Sequence, residues 1–430
     1  MANTVARITS AFQKARDLLS LHFIRSILRG LSFLGGGYAL AKIISLAEEL
    51  FIGRYLGVEV YGTYLIILAI ATILSALMTL GLPKAVVKIV AERNERIADV
   101  PTNALFMAFF LSIVMFVPVI VIGSSNSLLT LLGITQYELV FGYIIAFLLT
   151  LYTVAQSFKL ALYKIRFVVV ADIIYWSVAL IFFVLFRNLS LGLVGICFGS
   201  LLGSLVLLLR VPLDFARFSF PSVKSLIPLS VYLGADSVLG VSAQQVSFLY
   251  LNVIATASAV GVFGAHYRSS VFLIVPLVTV LSMALYPRFC SIDWRLRPRV
   301  GRYLTYLGIP IILAGFLLSY ISGVFFLRIF RVPLILPLLL VLAIYSGLFV
   351  YNRIWDKLVI ACEGAKMVGW GIAFGTLTFL SVMVALTPFL GPMLAIATGM
   401  VSNEILYGVL LLSWFKLRVK PDREPKTISD

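Results

Sequence analysis

The sequence predicts an all-α integral membrane protein in which about twelve transmembrane helices form two six-helix bundles around a central cavity. First, 61% of the 430 residues are hydrophobic and only 12% are charged, whereas about 25% of the residues of a soluble domain are charged. Second, the chain contains about twelve apolar segments of the length that crosses a bilayer. Third, its basic residues are concentrated between alternate segments, which is typical of polytopic membrane proteins.

The apolar segments follow one another with short connections. A helix needs roughly 20 apolar residues to cross the hydrocarbon core, and the segments of about this length are 31–53, 60–82, 103–124, 137–157, 167–186, 189–209, 226–252, 260–286, 303–325, 332–350, 367–388 and 391–414. The basic stretch before Leu31 is long, and no small-residue cleavage pattern follows it, so the first segment is expected to remain in the mature protein.

The distribution of Lys and Arg predicts the orientation. Of the 34 basic residues, 28 lie in the N-terminal arm, in alternate loops or in the C-terminal tail. The positive-inside rule therefore predicts a protein of the cytoplasmic membrane with both termini in the cytoplasm. The same distribution explains the net charge of +16 by topology and anionic headgroups, so no nucleic acid is expected as a partner. The remaining six basic residues are Lys42, Arg54, Arg187, Arg268, Arg328 and Arg331.

The two halves of the chain resemble each other weakly. The stretch IGRYLGVEVYGTYLII from Ile52 aligns with LNVIATASAVGVFGAH from Leu251, so that Gly62 matches Gly261 and Tyr64 matches Phe263. Both copies run in the same direction, which indicates a parallel repeat about an axis normal to the membrane. The predicted organisation is a basic arm, an N-terminal bundle, a cytoplasmic linker, a C-terminal bundle and a cytoplasmic tail, over 1–30, 31–210, 211–225, 226–415 and 416–430.

The sequence does not indicate an enzyme. The longest connection has about twenty residues, too few to fold as a separate domain, and no GxGxxG, GxxxxGK[ST] or HExxH pattern occurs. Cys197, Cys290 and Cys362 lie far apart, so neither a disulfide framework nor a metal site is expected. No cofactor is predicted, and an integral membrane glycosyltransferase or polymerase, which would need a large outer loop with catalytic acids, is the least favoured alternative.

Two stretches resemble a known family. FLGGGYALAKIISLAEELFIGRYLGVEVYGTYLIILAIATILSALMTLGLPKAVVKIVAERNE resembles the first two helices of the polysaccharide transporter family, the O-antigen-type lipid-linked oligosaccharide flippases of the multidrug, oligosaccharidyl-lipid and polysaccharide exporter superfamily. Its LGL element at Leu80 precedes a cytoplasmic helix in that family, and LGPMLAIATGMVSNEIL resembles the family's last helix. The resemblance implies a flippase for polyprenyl-diphosphate-linked oligosaccharide, with membrane lipids and glycan polymerase or ligase proteins as further partners. A cation-coupled multidrug exporter of the same superfamily is the alternative.

Charged residues in the first segment form a stripe. Lys42, Ser45 and Glu49 fall on one helical face at spacings of three and four residues, whereas Glu48 points about 100° away from Glu49. We expect Glu49 to share a cavity face with Lys42, and Glu48 to face a neighbouring helix or the outer interface. Because both acids lie near the outer end of the segment, an interfacial position of both remains an alternative.

Lys42 and Arg268 are predicted to bind the diphosphate of the substrate. Both lie too deep in their segments for easy snorkelling, and guanidinium and ammonium groups bind phosphate oxygens. Glu49, Gln244 and Gln245 complete the predicted substrate site. The alternative is a structural ion pair, either Lys42 with Glu49 or Arg268 with Asp236.

Two carboxylates near mid-span are candidates for ion coupling. Asp236 and Glu404 could bind and release a proton or ligate Na⁺ during a transport cycle, although pairing with Arg268 or a hydrogen bond between helices explains them as well. His266 lies about 200° around the helix from Arg268 and is interpreted as a packing or polar helix contact. Asp172 is expected at the cytoplasmic interface near Lys164 and Arg166.

Overall fold

The computed structural model describes residues 36–37, 39–92, 99–162, 164–209, 211, 230, 234, 238–240, 244–291, 297–362 and 364–419, and all regular structure in these ranges is helical. A short π-helical stretch, Ile52–Leu56, joins the first two helices. The helices are α1 (39–51), α2 (Val58–Thr79), α3 (Leu82–Glu92), α4 (Asp99–Ser124), α5 (Asn126–Leu132), α6 (Gln136–Ala161), α7 (Ile165–Phe186), α8 (Leu189–Leu208), α9 (244–254), α10 (Ala257–Val271), α11 (Ile274–Ser291), α12 (Arg297–Tyr306), α13 (Gly308–Phe330), α14 (Leu336–Ala361), α15 (Ala365–Leu390) and α16 (Pro392–Arg418).

The helices confirm the predicted membrane architecture. Nine helices of the described ranges are long and apolar enough to cross a membrane, namely α2, α4, α6, α7, α8, α13, α14, α15 and α16. The other predicted segments coincide with α1, with α9 and with the pair α10 and α11. The total of twelve spans and the domain boundaries stay predictions.

Three predicted segments differ from the helices observed. The segment 303–325 is displaced, because the chain turns at Leu307 between α12 and α13, Gly308–Phe330. The segment 260–286 is divided into α10 and α11 by a turn at Phe272 and Leu273. Pro276 explains the break, because it has no N–H for the carbonyl of Phe272 and its ring would clash with that carbonyl. The segment 332–350 is observed as the longer helix α14, which continues to Ala361. Arg353 and Lys357, which the charge count placed in a loop, therefore lie inside a helix.

The turn between α2 and α3 uses left-handed backbone. Leu80 has φ 41° and Gly81 has φ 78°, a region that glycine adopts without strain. A side chain on Gly81 would also collide with Gly234, which belongs to the other half of the chain. The helix that the resemblance implied after LGL is present as α3, whose Leu82, Val86 and Val90 pack on α4 and α6.

Hydrophobic packing joins the two halves near one end of the molecule. We call this the outer end; it carries residues 52–58 and 254–257, and the basic residues predict that it lies outside the cytoplasm. The largest hydrophobic cluster contains residues of both halves, from Ile52 and Tyr61 to Phe263 and Phe330. Toward the inner end each half has its own cluster, one on α3, α4 and α6 and one on α11, α14 and α16. Among the described residues, the shared hydrophobic cluster thus lies toward the outer end, and the inner end of α2 also meets the other half, at Gly81 and Gly234.

Two glycines form the crossing of α2 and α10 at the outer end. A Cβ on Gly62 would fall inside contact distance of the Ala257 carbonyl and 3.0 Å from the nitrogen of Gly261, and a Cβ on Gly261 would overlap Val58 in the same way. Each glycine thus meets the residue four positions before its counterpart, which is the reciprocity expected of repeats related by a two-fold axis. Small residues allow helix backbones to approach closely, so the matched glycines close the outer end.

Candidate functional site between the two bundles

The two adjacent carboxylates of α1 are buried inside the protein. Glu48 is 0% exposed and Glu49 is 6% exposed. The hydroxyl of Tyr64 donates to Glu48 Oε1 at 3.0 Å, and the hydroxyl of Tyr61 donates to Glu49 Oε2 at 2.8 Å. Both tyrosines lie on α2 within one turn of each other, so they face α1 together. Both acids are therefore enclosed by helices, and Glu48 faces a neighbouring helix as expected; the depth of the two acids in the membrane stays a prediction.

Arg268 of α10 connects this carboxylate pair to the other half of the chain. Its Nε lies 3.7 Å from Glu49 Oε2, and its side chain is 33% exposed. That nitrogen is buried and has no hydrogen-bond partner among the described residues. The ion pair is therefore a loose one, longer than the distance of about 2.7–2.9 Å at which a charge-assisted hydrogen bond forms. The described partner of Arg268 is Glu49; Asp236, its predicted alternative partner, lies outside the described residues.

Lys42 lies on α1 beside an aromatic group of α7. Its Nζ is 6.0 Å from the centroid of the Trp176 ring, at the outer limit of a cation–π contact. The charges of Arg268, Asp172 and Glu49 all act on Lys42. Lys42 thus lies on the same helix as Glu49, the partner of Arg268, and the phosphate-binding role of Lys42 and Arg268 stays a prediction. Trp176 was not among the predicted site residues, because an aromatic residue in an apolar segment is indistinguishable from a core residue by sequence pattern.

Asp172 is hydrogen-bonded inside the N-terminal bundle. The hydroxyl of Tyr152, on α6, donates to Asp172 Oδ1. Tyr175 packs between Tyr152 and Trp176, with ring centroids 5.6 Å and 4.5 Å away. A hydrogen-bonded tyrosine from α6 thus holds the carboxylate inside the N-terminal bundle, and the expected depth of Asp172 at the cytoplasmic interface stays a prediction.

Gln244 and Gln245 lie on α9, and both are half-buried. Gln244 Nε2 donates to the hydroxyl of Tyr345 at 3.5 Å, which is a long hydrogen bond. Tyr345 packs 6.4 Å from Tyr267, the residue before Arg268. Gln244 therefore lies near the C-terminal half of the site. The roles of both glutamines stay predictions.

A second group of buried charges lies inside the C-terminal bundle. The carboxylate of Glu404 on α16 accepts from Asn352 Nδ2 at 2.7 Å and lies 3.7 Å from Arg353 Nη2. Arg353 also donates to Asp356 Oδ2 at 2.9 Å, and the hydroxyl of Tyr407 donates to the other oxygen of Asp356. Glu404 therefore pairs with α14 rather than with Arg268. In the described ranges no three His, Cys, Asp or Glu residues are grouped as metal ligands would be.

Arg353 was missed because the hydropathy pattern ends the segment before it. Once charged residues begin at Arg353, the average over a window falls, and the sequence is interpreted as a loop. The residues Arg353, Asp356 and Lys357 recur at the spacing of one helical turn, which is the signal that could have extended the helix. The buried acid Glu404 on α16 needs a partner, and Arg353 supplies it.

His266 connects α10 to the start of α14. Its Nδ1–H donates to the Val262 carbonyl at 2.8 Å, and its Nε2 accepts from the backbone N–H of Ile335, which caps α14, at 3.0 Å. A ring with one donor and one acceptor satisfies both contacts only in this tautomer. The polar helix contact predicted for His266 is what the structure contains.

We expect His266→Phe to destabilise the protein without changing transport specificity. The substitution leaves the partly buried N–H of Ile335 without its hydrogen bond, which costs about 1 kcal/mol. Thermal unfolding of the purified protein measures the effect, and Gly369→Ala, at a site with open space around the glycine, is the control. An unchanged melting temperature would show that water or another group satisfies Ile335.

Comparisons with known proteins identify the family. The sequence profile described as "Polysaccharide biosynthesis protein" matches residues 27–293, more than half of the chain. The chain belongs to this family of polysaccharide biosynthesis proteins. The match confirms the resemblance to the polysaccharide transporters, and it includes Lys42, the Glu48–Glu49 pair and Arg268. No curated protein matches the chain.

The fold of this polysaccharide biosynthesis protein is that of the MATE transporters of the MOP superfamily. It is similar to an inward-facing multidrug resistance MATE transporter (TM-score 0.65, 13% identity, 88% of this chain and 94% of that chain covered). An outward-facing structure of such a transporter has a TM-score of 0.63 and 13% identity, and the match covers 91% of this chain and 95% of that chain. The eukaryotic MATE transporter AtDTX14 has a TM-score of 0.61 and 14% identity, with 93% of this chain and 97% of that chain covered. At these identities the likeness shows the fold, and with the apolar helices it establishes a multi-pass membrane protein.

Proposed function

We propose that this protein is a flippase that moves a polyprenyl-diphosphate-linked oligosaccharide from the inner to the outer leaflet of the cytoplasmic membrane for surface polysaccharide biosynthesis. It is not an enzyme in this proposal, and glycan polymerase or ligase proteins are its partners downstream. The observation that carries the proposal is Arg268, a cation in an apolar segment of the C-terminal half whose Nε lies 3.7 Å from Glu49 of the N-terminal half; Lys42 lies on the same helix as Glu49. Membership of the polysaccharide biosynthesis family supports the substrate class.

The long ion pair between Arg268 and Glu49 is compatible with reversible binding of an anion by Arg268. A guanidinium held by hydrogen bonds on every donor has nothing left to offer a ligand, but the Arg268 side chain is one third exposed and its ion pair with Glu49 is 3.7 Å long. A diphosphate carries several oxygens and can bind the guanidinium in a bidentate fork. The diphosphate would therefore replace Glu49 as the ion-pair partner of Arg268, and Lys42 would contribute a second positive charge.

Transport in this proposal follows alternating access. The shared hydrophobic cluster toward the outer end supports a state that is closed to the outside. The Glu49–Arg268 pair and the Gly62–Gly261 crossing both lie between the bundles at this end. Release of Arg268 from Glu49 removes one attraction across the junction, and rocking of the bundles can then open the outer end.

Vesicles that contain the purified protein test the function directly. A polyprenyl-diphosphate oligosaccharide with a fluorescent sugar label is placed in the inner leaflet, and its appearance in the outer leaflet is followed with a membrane-impermeant quencher. We expect flipping by the wild type and a loss of at least about tenfold in Lys42→Ala, because one charged contact to phosphate contributes about 1.5 kcal/mol. Equal rates with empty vesicles would exclude this substrate class.

A cation-coupled multidrug exporter is the second candidate. The similar solved structures are of MATE transporters, and the site contains the acids Glu48, Glu49 and Asp172 beside its two cations. Uptake of an organic cation by the same vesicles under an ion gradient, without flipping of the lipid-linked oligosaccharide, would favour this candidate.

Glu404 and Asp236 are proposed to couple transport to an ion. Of these, Glu404 shares Arg353 with Asp356, so two carboxylates face one cation, and a single proton would bring this group to neutrality. We expect Glu404→Gln to make the flipping rate independent of a pH gradient while its rate without a gradient stays within about twofold. The matched control is Glu59→Gln, which removes a carboxylate that is exposed at the outer end. A gradient response as large as that of the wild type would exclude Glu404 as the coupling residue.

A further inference from the structure

The short helix α12 has one side attached to the C-terminal bundle. Arg297 Nη1 donates to the carbonyl of Ala361 at 2.7 Å, at the end of α14. Gly301 lies against the ring of Phe415 in the last turns of α16, so closely that a side chain there would overlap the ring. Val300 and Leu304 pack against the core of the same bundle. These contacts hold α12 against the ends of two membrane helices.

The other side of α12 is exposed and combines arginines with tyrosines. Arg299, Arg302, Tyr303 and Tyr306 are exposed and recur at spacings of three, one and three residues, which places them on one helical face. Tyr303 is 68% and Tyr306 is 76% exposed. Tyrosine is enriched where the hydrocarbon core meets the headgroups, and arginine carries its charge outward on an apolar stem.

The position of this face fits the membrane surface. α12 connects α11 to α13 and contacts the final residues of α14 and the last turns of α16, so it lies at the level where these helices leave the hydrocarbon core. Leu307 and Ile309, which begin the next membrane helix, are 51% and 72% exposed and continue the face toward the lipid. A helix with basic and aromatic residues at this depth lies in the plane of the interface.

The charged residues that the structure describes on this surface are all basic. The last turn of α16 adds Lys416 and Arg418, both exposed, next to the contact of Phe415 with Gly301. Neither 297–306 nor 414–418 contains an acidic residue. Basic clusters of this kind at a membrane surface attract anionic lipid headgroups, at about 1 kcal/mol per Lys or Arg.

We propose that the exposed face of α12, together with Lys416 and Arg418, binds the headgroups of anionic phospholipids. The phosphate groups contact Arg299 and Arg302, the tyrosines lie at the boundary between headgroups and acyl chains, and Leu307 and Ile309 contact the acyl chains. The lipid thereby anchors the inner end of the C-terminal bundle at the connection between α11 and α13. This surface is separate from the site between the bundles.

A photo-crosslinking experiment tests the proposal locally. The full-length protein carries a benzophenone-bearing phenylalanine in place of Tyr306 and is placed in nanodiscs with equal amounts of phosphatidylglycerol and phosphatidylcholine. Mass spectrometry of the irradiated protein then measures the ratio of the two lipid adducts. We expect enrichment of the phosphatidylglycerol adduct, and a decrease of up to about 30-fold in that enrichment in Arg299→Gln/Arg302→Gln.

The control removes the same charge from the other end of the molecule. Arg54→Gln/Arg328→Gln replaces two exposed arginines near the outer end and should leave the adduct ratio unchanged. An adduct ratio of one in the wild type, an unchanged ratio in the α12 variant, or an adduct with a protein instead of a lipid would each overturn the proposal. If the double variant does not fold, Arg299→Gln alone should still lower the ratio about fivefold.

Discussion

Arg268→Met should abolish flipping and also destabilise the protein. Two charge-assisted hydrogen bonds to a diphosphate, at about 1.5 kcal/mol each, correspond to a loss of at least about 100-fold in rate. The substitution also leaves the buried Glu49 without its cation, and breaking a buried pair costs about 3–5 kcal/mol. Because the Arg268 side chain is one third exposed, we expect the lower end of this range, measured by chemical unfolding.

The double variant Glu49→Gln/Arg268→Met separates the structural from the functional role of Arg268. The uncharged amide that replaces the Glu49 carboxylate no longer needs the guanidinium and can still accept from Tyr61, so most of the lost stability should return. Flipping should remain absent, because the phosphate ligand is missing. Recovery of both stability and flipping would show that Arg268 only neutralises Glu49. Arg328→Met, at an exposed position near the outer end, is the control for the loss of charge.

Gly62→Ala should open the outer end. The added methyl group would overlap the backbone of α10 at Ala257, and backbone cannot rotate away as a side chain can. Overpacking costs about 1–3 kcal/mol, which changes the ratio of the closed to the open arrangement by about 5-fold to 150-fold. Gly261→Ala should have the same effect, because the crossing is reciprocal. Both variants should flip slowly, since the cycle needs the closed state.

Spin labels at the exposed positions Glu59 on α2 and Ser258 on α10 measure this opening, in a background without Cys197, Cys290 and Cys362. We expect the distance distribution to move to longer values by several ångströms in both glycine variants. Gly369→Ala adds the same methyl group where no atom lies within 4 Å and should leave the distances unchanged. An unchanged distribution in Gly62→Ala would show that the helices adjust locally without separating.

Much of the architecture follows from the sequence because a bilayer restricts the possible structures. Backbone groups in hydrocarbon must be paired within the segment, so each apolar run becomes a helix. The runs near 60–82 and 167–186 accordingly match α2 and α7 to within about two residues at most ends. Helical periodicity also placed Lys42 and Glu49 on one face and Glu48 on another, because it depends only on the rotation per residue.

The sequence shows the matched glycines and Arg353, but it does not show which residues they contact. The offset that aligns Gly62 with Gly261 suggested a repeat, but two glycines in an apolar sequence have no partner by themselves. In the structure α2 and α10 approach closely, and Gly62 and Gly261 form the contact where the two helices cross. Arg353 appeared as the start of a loop because hydropathy averages over a window and ignores neighbours from other helices. Its helix continues because Glu404 and Asp356 compensate the charge in the interior.

The sequence by itself determined the fold class, most of the helices and the residues that need a partner, since these depend on local hydropathy and helical rotation. Only the tertiary structure decided the partners. It placed Arg268 beside Glu49, Lys42 beside Trp176, Glu404 beside Arg353 and Asp172 beside Tyr152. Periodicity assigns a side chain to a face of its own helix, but the free energy of burying a charge depends on what the neighbouring helix presents at the same depth.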